Sequence, residues 1–295
     1  MGCFRPLDAT RLESGEISFS ARSGQGDAIK LPCGQCTGCR IDRSRMWAVR
    51  CMHEASLHEE NCFITLTYAD QHLPKNGSLD YGDFQKFMKR LRKSSGQVRF
   101  YMCGEYGEMS WRPHFHAILF GYQFADKKLW MKTGSGEMIY RSALLERLWP
   151  FGHSSIGDVT LKSAGYVARY VMKKITGDLA ESHYERITAD GEVVKLRPEF
   201  NRMSLKPGIG QKWFDQFYRD VYPGDAVVLE GGRKMRPPRF YDIKYDAIEP
   251  YQFEAVKQDR ILRAMAKASE HTPDRLAVAE EVLDSRIKLL KRSLS

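Results

Sequence analysis

Between Cys62 and Phe120 the chain runs through strand, helix, strand and strand in a fixed order, and few folds accept that order. Cys62-Phe63-Ile64-Thr65-Leu66-Thr67-Tyr68 is rich in β-branched and aromatic residues. As a strand it puts Cys62, Ile64, Leu66 and Tyr68 on one face and Thr65 and Thr67 on the other. A loop with Pro74 and Asn76-Gly77 follows, and Asp80 or Ser78 can cap the next helix. In that helix Phe84, Phe87, Met88 and Leu91 fall at i, i+3, i+4 and i+7, a buried stripe backed by Lys86, Lys89, Arg90, Arg92 and Lys93. The runs 98–105 and 114–120 are strands joined by a Gly-containing turn, hence a hairpin. Further on, 142–148 reads as a short helix, 154–161 as a strand, and Ser163 opens a helix that ends before Gly177. This order predicts an α+β protein with an antiparallel, ferredoxin-like (RRM-like) sheet flanked by helices.

The rest of the chain is less regular. Residues 1–40 read as irregular and Cys-rich, and a helix runs from Ile41 to about Leu57. Residues 121–140 form an insertion, and 178–248 carry no assignable pattern. Thr272-Pro273-Asp274 opens a last helix with Leu276, Ala279, Leu283, Ile287 and Leu290 at helical spacing. The expected organisation is an N-terminal arm and helix over 1–58, a core over 59–180, and an accessory C-terminal region over 181–295.

Of the 295 residues, 42% are hydrophobic and 28% charged, enough apolar material for a sizeable core and too much for a disordered chain. No apolar run approaches the roughly 18 residues of a membrane helix, so no membrane partner is expected. The start, Met1-Gly2-Cys3-Phe4-Arg5-Pro6, has no apolar signal region. Lys+Arg number 46 against 37 Asp+Glu, and the net charge of +9 suits either a polyanion-binding protein or a basic enzyme. Seven cysteines, an odd count, read as thiols or metal ligands, not as a disulfide framework.

Three clusters can carry chemistry. In a strand, His114-Phe115-His116 sends both imidazoles to one face, with Cα atoms about 7 Å apart, while Phe115 anchors the other. Glu105 lies across the hairpin, with Glu108 as the alternative acid. Two imidazoles and a carboxylate make a mixed N/O site that suits Mg²⁺ or Mn²⁺ acting on phosphates. Tyr166 and Tyr170 sit at i and i+4 on one helix face, followed by Lys173 and Lys174, whose ammonium groups favour a phenolate nucleophile. Finally, Cys33, Cys36 and Cys39 recur every third residue in a Gly-rich turn, the spacing of a structural Zn²⁺ clip, with Cys3 as fourth ligand ahead of Cys51 and His53. Arg40, Arg43, Arg45 and Arg50 around Trp47, the basic face near Lys89, and Arg233, Lys234, Arg236 and Arg239 beside Pro237-Pro238 suit contacts to a nucleic-acid backbone. No Gly-x4-Gly-Lys-Ser/Thr loop is present, which argues against a built-in motor.

Taken in order, these segments resemble a family. Phe63–Tyr68, Arg112–Phe120 with Gly104-Glu105-Tyr106-Gly107, and Gly165–Lys174 resemble three motifs of the replication initiators of gokushovirus-like microviruses, within the wider HUH endonuclease class. Pro32–Cys36 and Met203–Gly210 add to the likeness, which spans Cys3 to about Trp213; nothing comparable extends past Phe240. The resemblance implies a nicking-joining enzyme for single-stranded DNA. Glu105, His114 and His116 would hold one divalent ion. Tyr166 and Tyr170 would be alternating nucleophiles that form a 5′-phosphotyrosine at the origin, assisted by Lys173 or Lys174. Host polymerase and helicase would act with it in the bacterial host cytoplasm. The competing readings are a non-catalytic zinc-stabilised DNA-binding or packaging protein, and a relaxase- or transposase-type nuclease.

Overall fold

The computed structural model describes residues 2–20, 25–107, 110–173, 179–187 and 190–289. Its first elements are short strands, β1 (Leu7–Leu12), β2 (Ile17–Ser18) and β3 (Gly26–Leu31), then helix α1 (Thr37–Ala55). The central series is β4 (Asn61–Tyr68), α2 (Tyr81–Ser95), β5 (Arg99–Tyr106), β6 (Pro113–Phe120), β7 (Lys128–Lys132), β8 (Met138–Arg141), α3 (Ala143–Leu148), β9 (Gly152–Gly157) and α4 (Leu161–Lys173). There follow α5 (Leu179–Tyr184), β10 (Glu185–Ile187), β11 (Val193–Lys195), β12 (Phe200–Met203), α6 (Gln211–Val221), β13 (Val227–Val228), β14 (Lys234–Met235), α7 (Arg239–Ile248), α8 (Pro250–Met265) and α9 (Pro273–Leu289).

The described residues build a seven-stranded sheet in the order β12-β5-β6-β4-β9-β8-β7, antiparallel at each pairing. Strands β4, β5, β6 and β9 with α2 and α3 form the ferredoxin-like β-α-β-β-α-β unit, and β12 and the β7–β8 hairpin widen it. Side chains alternate across this sheet, and each face has its own core. On one face Cys62, Ile64, Leu66, Met102, Phe115 and Leu119 meet the α2 stripe of Phe84, Phe87, Met88 and Leu91. Gly104 keeps that face tight, since a Cβ there would lie 3.0 Å from Phe200 and 3.2 Å from Phe115. On the other face Phe63, Tyr101, Cys103 and Ile118 pack with Ala48, Cys51 and Ala55 of α1 and with Ala164, Val167 and Ala168 of α4. Each fully buried Phe or Leu stabilises the sandwich by about 1.5–3 kcal/mol relative to exposure.

Asp80 caps α2, its side chain accepting from the Gly82 backbone N–H at 2.9 Å. Arg90, expected on a solvated basic face, is half-buried and donates to the Leu148 carbonyl, while Arg92 stays exposed as expected and donates to that of Val98. Arg50 is not available to a DNA backbone. It lies between the rings of Trp47 and Phe240, 4.0 and 3.9 Å from their centroids, and donates to the Ile209 carbonyl. Residues 7–31 are not irregular: β1 pairs with both β2 and β3. These strands are mostly exposed and carry few β-branched residues, so their pattern is faint.

The chain divides into two compact units. One joins residues up to Arg43 to those from Ile248 onward; the other is Ser44–Ala247 and contains the large sheet. In the first unit Phe4, Cys36 and Leu283 form a small core, with Ile41, Leu276 and Ile287 against it. An Arg5–Glu280 ion pair at 2.9 Å adds to it.

Candidate active site

The face of the sheet that looks toward α4 is apolar at one end and polar at the other. Register produces the polar end. Glu105 of β5 is the direct cross-strand partner of His114 on β6, His114 of Thr67 on β4, and Thr67 of His153 on β9. The next row is Cys103, His116, Thr65 and Ser155. Directly opposed residues share a face, so this pairing alone gathers the acid and both imidazoles.

Glu105, His114 and His116 offer ligand atoms that all lie within 4.8 Å of one another. His116 Nε2 is 2.9 Å and His114 Nε2 3.7 Å from Glu105 Oε1. Hard divalent cations take O and N ligands at about 2.1 Å, so adjacent octahedral ligands stand about 3.0 Å apart. The donor set and its spacing fit such an ion. On the far side of the His116 ring, Nδ1 is 3.0 Å from the Thr65 hydroxyl. Were Nε2 to bind a cation, Nδ1 would carry the proton and donate a hydrogen bond to Thr65, which would fix tautomer and ring orientation. Glu105 and His116 are buried at 2% and 3% exposure, so the acid sits where its charge is weakly screened.

Helix α4 lies over this end of the sheet. The Tyr166 ring stands edge-on to His116, centroids 5.1 Å apart at 89°, and edge-on to Phe63 at 6.4 Å. Tyr166 is half-buried, not sealed in the core. Ser44 of α1 donates to the Gly165 carbonyl and Asn201 of β12 to that of Val167, pinning the turns on either side of Tyr166. Tyr170 and Lys173 belong to α4, but their side chains lie outside the described residues, as does the whole of Lys174. Glu108, the alternative acid, also lies outside them. Thr65 was missed as a site residue by sequence reasoning, and His153, at the exposed end of the His114 row, touches none of the three ligands among the contacts described. The signal for Thr65 is register, which no spacing within one strand reveals.

The Cys3, Cys33, Cys36 and Cys39 sulfurs form a second cluster, all within 4.8 Å of one another. A tetrahedral Zn²⁺ with Zn–S bonds near 2.3 Å requires sulfurs about 3.8 Å apart. Cys3 and Cys36 Sγ are 3.8 Å apart. Backbone N–H groups point at the sulfurs: Cys33 N–H to Cys3 at 3.2 Å, Cys36 N–H to Cys33 at 3.3 Å, and Phe4 N–H to Cys36 at 3.4 Å. Burial raises the Cys36 thiol, but the N–H groups of Cys39 and Phe4 outweigh it and hold Cys36 down to about 7. Burial and neighbouring thiols push Cys39 the opposite way. Cys51 and His53 are elsewhere. Cys51 is fully buried in the core of the large sheet, and His53 Nδ1 is 2.9 Å from the Tyr241 hydroxyl.

Comparison with known proteins agrees with this layout. The family model described as replication-associated protein ORF2/G2P matches residues 61–175, the stretch from β4 to the end of α4. The chain is 33% identical to the replication-associated protein VP4 of Bdellovibrio phage phiMH2K over 85% of its length and 79% of that protein's. It is 28% identical to the replication-associated protein ORF2 of Spiroplasma virus 4, over 100% of its length and 98% of that protein's. Identity to the replication-associated protein ORF4 of Chlamydia phage 1 is 32%, over 73% of the chain and 54% of that protein. The chain belongs to the family of microvirus replication-associated proteins. No solved structure matches it.

Proposed function

We propose that this protein initiates and terminates rolling-circle replication of a phage genome as a metal-dependent HUH endonuclease and strand transferase. The observation that carries the reading is the Tyr166 ring against His116, itself 2.9 Å from Glu105: a nucleophile-bearing helix beside a three-ligand site. A divalent ion held by Glu105, His114 and His116, Mg²⁺ or Mn²⁺, would polarise a scissile phosphate and offset the charge that develops on it. The chain's own residues do the rest. The rigid hairpin fixes the ligand geometry, and Thr65 holds the His116 ring. Tyr166 Oη attacks phosphorus as its proton is lost; the bond from phosphorus to the 3′ oxygen breaks, and that oxygen takes up a proton. The products are a 5′-phosphotyrosine and a free 3′-OH, which host polymerase extends while a host helicase opens the duplex. Because the phosphodiester is exchanged and not hydrolysed, rejoining needs no ATP. Tyr170, four residues on, is the second nucleophile that releases a unit-length circle, and Lys173 or Lys174 favours the phenolate. Four cysteines bind a structural Zn²⁺. The reaction belongs to the cytoplasm of a bacterial host.

The test is to incubate purified protein with circular single-stranded DNA and Mn²⁺ and look for a complex that survives denaturation. It is expected in the wild type and absent with EDTA or in a Tyr166→Phe, Tyr170→Phe double variant. An adduct that persists in the double variant removes the tyrosines from the mechanism. DNA binding with no adduct under any divalent ion leaves a packaging protein instead.

A further inference from the structure

The β7–β8 hairpin has a use that the active site does not explain. All five residues of β7, Lys128-Leu129-Trp130-Met131-Lys132, are exposed, with Trp130 at 58%. The pairing steps from Leu129↔Tyr140 to Met131↔Ile139, so Trp130 sits on a bulge as the extra residue. The Arg141 guanidinium is 5.2 Å from its ring centroid. The hairpin tip is stiff: the Thr133 and Glu137 backbones are hydrogen-bonded, and the Thr133 hydroxyl accepts from the Glu137 N–H. Nearby acids are already engaged, Glu137 by Lys162, Glu146 by Arg141, and Asp126 by Ser142 and the Leu144 N–H. Lys128 and Lys132 form no ion pair among the described residues. Two lysines alone would protect an edge strand from pairing. A large indole between them serves no such purpose, and its exposed ring face offers a stacking surface.

We propose that this hairpin is a landing platform for single-stranded DNA, with one base stacked on Trp130 and a flanking phosphate on Lys128, which shares a face of the hairpin with its cross-strand partner Arg141. A sequence-tolerant grip of this kind combines an aromatic ring with a cationic track. The platform is the far edge of the sheet that carries the imidazoles: β8 pairs with β9, β9 with β4, and β4 with β6. Four strand spacings of about 4.8 Å separate β7 from β6, about 19 Å. At a stacked rise of about 3.4 Å per nucleotide, that is about six nucleotides of the strand being cut. The inference rests on the nicking reading only in taking single-stranded DNA as the substrate.

The test measures fluorescence anisotropy of a labelled oligothymidylate at several salt concentrations. Trp130→Ala should bind about 5- to 150-fold more weakly, and Trp130→Phe should recover most of the loss. Lys128→Ala should lower the slope of log affinity against log salt by about 0.7. Unchanged binding by Trp130→Ala overturns the proposal. So does a change in oligomeric state on gel filtration, which makes the hairpin a contact between copies. Adduct formation with Mn²⁺, read on the same preparations, separates the two claims. Wild type that binds through Trp130 without forming an adduct defeats the nicking reading and leaves the platform. Wild type that forms an adduct while Trp130→Ala binds normally defeats the platform alone.

Discussion

Replacing His53 by Gln should remove a defined part of the protein's acid sensitivity. His53 of α1 is buried, stacked on Trp213 with ring centroids 3.5 Å apart, and its Nδ1 meets the Tyr241 hydroxyl. Burial alone pushes its pKa down to about 4, from an ordinary value of 6.5. Between these values the unfolded chain binds a proton that the folded chain does not, so acid favours unfolding. The contribution is whole above about pH 6.5 and is lost as the pH falls, until folded His53 itself protonates near pH 4. Linkage over these two values makes the loss from pH 7 to pH 5 about 2 kcal/mol. Gln can still bond the Tyr241 hydroxyl and never titrates. Urea unfolding followed by tryptophan fluorescence, at pH 7 and pH 5, should give a stability drop about 2 kcal/mol smaller for His53→Gln than for wild type. Carboxylates common to both proteins cancel in that comparison. Equal drops would refute the reasoning, since His53 would then titrate alike in both states.

Two further outcomes follow from the sites. Thr65→Val removes the hydroxyl that orients His116; Mn²⁺ affinity, measured by calorimetry, should fall about 10- to 100-fold while the fold, read by circular dichroism, persists. Cys36→Ser should abolish stoichiometric zinc measured by elemental analysis, and a chelator should reproduce in the wild type the loss of thermal stability seen in the variant.

The central fold was legible because each of its elements carries a strong period. Phe84, Phe87, Met88 and Leu91 can bury themselves together only on a helix, and the alternation in β4 and β6 leaves one choice of face. The acid–imidazole cluster was legible for the same reason: a short hairpin makes Glu105 and His114 neighbours. The role of Thr65 was not, because the order of strands across a sheet is a tertiary fact. Nor was the hairpin at 128–141, whose first strand is exposed throughout and shows no alternation of apolar and polar residues. Arg50 and Arg90 misled for a related reason. Sequence marks a guanidinium as solvated, while a nearby ring or carbonyl can hold it inside.

The small core under the cysteines joins Phe4 and Cys36 to Leu283. A ribosome delivers Phe4 and Cys36 long before Leu283. This unit therefore closes only after Ser44–Ala247 has emerged. A transcript cut short, or a tail trimmed by protease, would leave the four thiols without their covering helix, open to oxidation and to scavenging by other metals.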